Sequence, residues 1–216
     1  MQKLALFDLD DTLVDRTAAY RSWAADLIRR RGLDADAADW LLSVDLWRVP
    51  LWRHIPHVAE HLGLDDSAER FYDRFKDDYP RHNRCEPATI QGLERLRDNG
   101  WTVGIVTNGP ERTQLPKIRG TGLDNAVDGW VISGVAGVDK PDPGVFAAAA
   151  DLLGVDLRRG GWMVGDNPVA DIGGGNGVGL TTVWMRHGRD LRPGDPRPAH
   201  TVDDIGAALR VLRVAG

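Results

Sequence analysis

The stretch Leu4-Ala5-Leu6-Phe7-Asp8-Leu9-Asp10-Asp11-Thr12-Leu13 constrains this chain more than any other. Its opening apolar run is short enough for a buried strand, and Asp8 closes it. Side chains alternate along a strand, so Asp8 and Asp10 share a face if the strand continues. The Asp-Asp-Thr that follows reads as a turn, which puts the pair at the mouth of a sheet. Two carboxylates this close repel unless a cation or a proton lies between them. The same residues have a plainer use, because Asp10 or Asp11 can cap a following helix. The remainder of the chain weighs one use against the other.

Beyond the opening strand the pattern is helical. Tyr20, Trp23, Ala24, Leu27 and Ile28 recur at helical spacing until Gly32 stops the run. Amphipathic segments follow at 37–44, 51–62 and 67–79, punctuated by Pro50, Gly63 and Pro80, with no strand among them. An all-helical unit over 15–85 is expected, inserted after the first strand and carrying four of the eight tryptophans: Trp23, Trp40, Trp47 and Trp52. Strand and helix then alternate. Helices are predicted at 88–99, 111–119, 145–153 and 203–212, and strands at 102–107, 130–133, 162–165 and 180–184. Loops are expected at 134–143 and 187–198. Near-continuous apolar strands separated by helices mean a parallel sheet covered on both faces. The fold class is therefore α/β, a doubly wound parallel sheet built from 1–14 with 86–216, interrupted by the helical unit.

Charge and cysteine usage exclude several functions. With 27 basic and 32 acidic residues the net charge is −5, and no basic block is present, so no nucleic-acid partner is expected. No apolar run approaches a membrane span, and the one before Asp8 is too short for a signal peptide. Cys85 is the only cysteine, so no intrachain disulfide is possible. That fits a reducing cytoplasm. No histidine-containing motif frames Cys85, which argues against a thiol nucleophile.

Four loops place polar residues where a strand ends: Asp8 and Asp10 after the first, Thr107 and Asn108 after the second, Lys140 past the third, Asp166 and Asp171 after the fourth. In an open α/β sheet, ligands bind outside the carboxyl ends of the strands, where strand order reverses. These loops would converge there. Four carboxylates, a lysine, a hydroxyl and the turn amides around Gly109 suit Mg²⁺ plus a phosphate. Taken singly, each has a plainer use: Lys140 as a solvated lysine, Asp166 as a helix cap, Asp171 as a first-turn acid.

Asp8-Leu9-Asp10-Asp11-Thr12, Thr107-Asn108-Gly109, Lys140-Pro141, and Gly165-Asp166-Asn167 with Asp171 resemble the four motifs of the haloacid dehalogenase-like (HAD) hydrolase superfamily. The resemblance spans nearly the whole chain, and the helical insert is similar to a C1-type cap. Residues 104–140 are similar, more loosely, to nucleotidase-like and N-acylneuraminate-9-phosphatase-like members. It implies a Rossmann-like core and an Mg²⁺-dependent phosphatase with these roles. Asp8 is the nucleophile that forms an aspartyl-phosphate. Asp10 is general acid and then base. The Asp8 and Asp166 carboxylates and the Asp10 carbonyl hold Mg²⁺, with Asp171 supporting it directly or through water. Thr107 and the Asn108 amide bind phosphoryl oxygens, and Lys140 offsets the charge of Asp8 and phosphate. Two features depart from the pattern: Asn167-Pro168 after Asp166, and Gly173-Gly174-Gly175 where a helix is expected, at roughly 1 kcal/mol per glycine relative to alanine.

The resemblance implies a small phosphorylated metabolite as substrate; a nucleoside monophosphate, a sugar phosphate and phosphoglycolate all fit. In this architecture the cap selects the leaving group. Trp47, Arg48 and Arg53 could stack a base or bind a second anion there, or form a solvated basic face. A dehalogenase shares the fold and nucleophile but does not need Asp10, and a non-catalytic binding domain would be expected to lack a catalytic position.

Overall fold

The structure, a computed structural model, describes residues 2–46 and 51–215. The chain divides into two compact units, Met1–Asp15 with Cys85–Gly216, and Arg16–Arg84.

The first unit is built on six parallel strands: β1 (Leu4–Phe7), β2 (Thr102–Thr107), β3 (Gly129–Ile132), β4 (Trp162–Gly165), β5 (Thr181–Met185) and β6 (His200–Val202). Their order is β3-β2-β1-β4-β5-β6. Every ladder is parallel, with Leu4 opposite Thr102 and Ala5 opposite Trp162. The chain runs outward from β1 to β3, then crosses back and runs outward again from β4 to β6. The switch point lies between β1 and β4.

Alternation along the strands divides the core in two. Ala5, Phe7, Val103, Ile105, Trp162 and Val164 pack on one side with Leu93, Leu96, Ile118 and Leu209. Leu4, Leu6, Val106 and Met163 pack on the other with Val145, Phe146 and Ala149. Those partners come from helices Pro87–Asp98, Glu111–Gly120 and Ile205–Ala215 on the first side, and Pro143–Leu153 on the second. Two of these helices carry proline at their first turn, where the missing N–H costs nothing. The last also has an Asp142 cap and stops at left-handed Gly154.

Local differences separate the structure from the sequence reading, among them the short helix Leu123–Ala126 and the turn Leu157–Arg159, which the sequence reading lacks. The edge strand β6 was not expected, since three residues show no periodicity. One helical turn, Ser133–Ala136, opens what was read as a loop. The glycine run belongs to a wide turn, Pro168–Gly173, and a four-residue helix, Gly174–Gly177. Close packing accounts for it. A Cβ on Gly174 would lie 2.8 Å from the Phe146 ring, and one on Gly175 2.8 Å from Thr182 Cγ2. The Asn167-Pro168 pair also finds a purpose: Asn167 Oδ1 accepts from the N–H groups of Val169 and Ala170 at 3.0 Å each, and Pro168 opens the turn.

The second unit is helical, with Arg16–Arg31, Ala35–Leu42, Leu51–His61 and Ala68–Asp78, followed by the tight turn Tyr79–His82. Its core gathers Tyr20, Trp23, Leu27, Leu41, Ile55, Val58, Phe71 and Phe75. Trp23 stands edge-on to Phe75, ring centroids 4.9 Å apart. The buried Tyr20 hydroxyl donates to the Leu41 carbonyl at 2.9 Å and lies 2.8 Å from His54 Nε2. Trp47 and Arg48 fall outside the described residues. Arg53 lies on the helix Leu51–His61 with an exposed side chain.

Candidate active site

The turn after β1 is tied to one carbonyl. Leu9 O accepts from the N–H groups of Thr12, Leu13 and Val14 at 3.3, 2.9 and 3.0 Å. Asp11 takes a left-handed conformation, φ 56°, which aspartate tolerates better than most residues. The next helix begins only at Arg16, so neither Asp10 nor Asp11 caps it. The Asp8 N–H continues the ladder to Val164 O at 2.9 Å, which fixes Asp8 between the ends of β1 and β4.

Lys140 lies at the centre. Its Nζ donates to Asp8 Oδ1 at 2.6 Å and to Asp171 Oδ1 at 2.7 Å. Lys140 is 4 % exposed and Asp171 1 %. Asn108 locates this lysine: its side chain brackets the Lys140 backbone, accepting from the N–H at 2.8 Å and donating to the carbonyl at 2.9 Å. The Asn108 side chain is thus spent on the loop, so only its backbone amide is left for the phosphate role that the motif suggests. Asp171 Oδ2 accepts from the Asn167 N–H at 2.9 Å. Asp166 receives Arg189 at its carboxylate, 3.3 Å, and both Arg189 and the Trp184 indole N–H at its carbonyl, 2.9 Å each.

Asp8, Asp166 and Asp171 each offer a carboxylate oxygen within 4.8 Å of the others. Burial pushes the Asp8 carboxyl up to about 7; Lys140 pulls against this and Asp171 adds to it. Burial, then Asp171, Asp8 and Asp11, hold Asp166 well above the usual carboxylate range. Burial works against the Lys140 ammonium, but Asp171 and Asp8 outweigh it and leave its pKa raised. Negative charge is crowded in this cluster, and either a proton or a cation relieves it. An all-oxygen carboxylate set matches a hard divalent ion.

Gly165 makes room for this arrangement. A Cβ there would lie 2.3 Å from Asp171 Cγ. Gly165→Ala is expected to push Asp171 off Lys140 and to lower stability by about 1–3 kcal/mol, the usual cost of overpacking. A urea midpoint unchanged from wild type would refute this.

The Asp10 carboxylate stands outside that triad. It is held by Lys117 Nζ at 2.7 and 2.8 Å and by Gln114 Nε2 at 3.0 Å. Gln114 Nε2 also donates to Thr107 Oγ1 at 2.7 Å. The structure thus brings Asp8, Lys140, Asp166 and Asp171 together, and joins Asp10 to Thr107 through Gln114. Gln114, Lys117 and Arg189 were missed by sequence reasoning. A signal existed for the first two: they sit three apart on one helix, on the flank that carries Ile118 into the core.

A profile of haloacid dehalogenase-like hydrolases matches residues 2–179. The chain belongs to that family and is a HAD-like hydrolase. Among its relatives, the glyceraldehyde 3-phosphate phosphatase of Pyrococcus abyssi is 32 % identical over 203 residues, covering 88 % of this chain and 83 % of that one. The phosphoserine phosphatase of Thermus thermophilus is 29 % identical over 235 residues, covering 90 % and 92 %. The crystal structure of a HAD phosphatase from Thermococcus onnurineus superposes with a TM-score of 0.65 at 28 % identity, covering 98 % of each chain. Among the described residues no helix is long and apolar enough to cross a membrane.

Proposed function

We propose that this chain is a cytoplasmic, Mg²⁺-dependent phosphomonoester hydrolase that cleaves a small phosphorylated metabolite through an aspartyl-phosphate at Asp8. The observation that carries the reading is the buried Asp8–Lys140–Asp171 chain beside Asp166, at the switch point of the sheet. The names of the relatives support the substrate class. The helical unit Arg16–Arg84 is read as the C1-type cap, with Trp47, Arg48 and Arg53 as its candidates for leaving-group selection.

Asp8 and Asp166 would hold the metal, with the Asp10 carbonyl. Asp171, whose oxygens already serve Lys140 and the Asn167 N–H, would act through water. When bound, the ion lowers the repulsion between a carboxylate nucleophile and a phosphate dianion. Asp8 attacks phosphorus while Lys140 and the Thr107 hydroxyl hold phosphoryl oxygens. Asp10 gives its proton to the departing alkoxide. It then takes a proton from the water that attacks the aspartyl-phosphate, which releases phosphate and restores Asp8. A dehalogenase has no use for a proton donor at Asp10, which favours the phosphatase.

Phosphate release should be lost in excess EDTA and return with Mg²⁺; full activity in EDTA would sink the metal assignment. Protein stability should follow the same ion. Asp8 titrates near 7 when folded, against an ordinary 3.8. The folded state therefore keeps a proton that the unfolded chain loses. That stabilisation is complete below pH 3.8 and is lost as pH rises through 7. Above that pH the carboxylate is free for a cation, and below it protons compete. Mg²⁺ should thus raise the melting temperature more at pH 8 than at pH 5.5. An equal rise at both would contradict a carboxylate site.

A further inference from the structure

Asp10 is gripped by two side chains that no sequence motif singled out. Lys117 and Gln114 are only 4 % and 2 % exposed. Lysine and glutamine are rarely buried so deeply without a strong partner. Here they share one, because the helix Glu111–Gly120 presents residues three apart on the same face. Lys117 Nζ meets both Asp10 oxygens, and Gln114 Nε2 meets Oδ2.

The Gln114 amide also fixes Thr107. An NH₂ group only donates, so Thr107 Oγ1 accepts at 2.7 Å and its own hydroxyl hydrogen must point elsewhere. The orientation of the amide is settled by Asp10, since an exchanged oxygen would face a carboxylate. Gly109 lets the amide approach: a Cβ there would lie 3.2 Å from Gln114 Cδ. Asp10 itself follows Asp8 by two residues on a turn and is 22 % exposed at its side chain. Without an anchor, its carboxylate has other staggered positions to visit.

We propose that Lys117 and Gln114 are positioning residues, which hold the Asp10 carboxylate apart from the Asp8–Asp166–Asp171 cluster and turn the Thr107 hydroxyl toward phosphate. This rests on the reading of Asp10 as acid and base. Lys117 leaves the carboxylate one place to be, and Gln114 ties that place to a phosphate-binding hydroxyl. Both residues act through Asp10 and Thr107.

The test uses Lys117→Met and Gln114→Leu, with Lys117→Arg as the conservative variant and Lys117→Gln should the methionine fail to fold. With an activated aryl phosphate, kcat should fall about tenfold to a hundredfold, the usual penalty for a misplaced catalytic group. In Lys117→Met, KM should fall along with kcat and leave kcat/KM within about twofold, because the slowed step comes after phosphorylation of Asp8. Phosphorylation of Asp8 needs little acid help with this ester, so rapid quench should show a burst of phenolate. Lys117→Arg should recover most of kcat. In an Asp10→Ala background, Lys117→Met should alter the burst rate by less than about twofold, since its effect runs through Asp10. A wild-type kcat in Lys117→Met, or a further tenfold loss in the Asp10→Ala background, would overturn the proposal. If Asp10→Ala itself turns over normally, the acid and base reading fails first. If Asp10→Ala is slow while Lys117→Met is not, only the positioning role fails.

Discussion

Asp8→Asn is expected to abolish phosphate release, by at least about 10⁴-fold in kcat, as removal of a nucleophile commonly does. The amide has the shape of the carboxylate and none of its nucleophilicity. It can still accept from Lys140 through its oxygen, so the loop after β3 stays in place. It also removes one of three crowded carboxylates. The variant should therefore melt no lower than wild type in EDTA, and Mg²⁺ should stabilise it less. Phosphate release together with melting curves checks both. Activity within tenfold of wild type would mean that another group attacks phosphorus.

Lys140→Ala should fail in a different way. Lys140 is the shared partner of Asp8 and Asp171, both deeply buried. Removing one partner of a buried ion pair leaves charge without compensation and costs about 3–5 kcal/mol of stability. The two carboxylates will relieve part of this by taking up a proton, so the loss should grow with pH. Catalysis should drop by several kcal/mol of transition-state stabilisation, about the scale of a lost preorganised charge contact. Chemical denaturation at two pH values, beside steady-state kinetics, separates the effects. Unchanged kinetics would return Lys140 to the role of an ordinary lysine.

Much of this was legible in the sequence, for identifiable reasons. Strands β1 to β5 are buried on both faces, so they read as short apolar runs with polar residues at their ends. Asp8 and Asp166 each close such a run, and together with Asp171 they were visible through the four motifs taken jointly rather than singly. Strand β6 was not visible: it borrows its conformation from β5, with Val183 opposite His200. Arg189 was hidden for another reason, and the spacing of Gln114 and Lys117 marked a helix flank without saying what their tips would meet. A long polar side chain on a helix or loop looks the same in sequence whether its tip meets water or a carboxylate. The glycine run was visible as an anomaly, but the Phe146 ring and Thr182 methyl that require it lie far along the chain.

The place of the insert has a consequence for how the molecule is made. β1 precedes the insert in the chain and is an interior strand of the sheet, with β2 on one edge and β4 on the other. Both neighbours are translated only after the whole of Arg16–Arg84. The helical unit contains its own core and its own close contacts in sequence, so its residues have partners as soon as they emerge. Leu4–Phe7 does not. An apolar strand with two bare edges must wait through the synthesis of another unit, the state in which nascent chains are most apt to stick to one another. The strand that leads into Asp8 thus stays without either neighbour until the insert has been made.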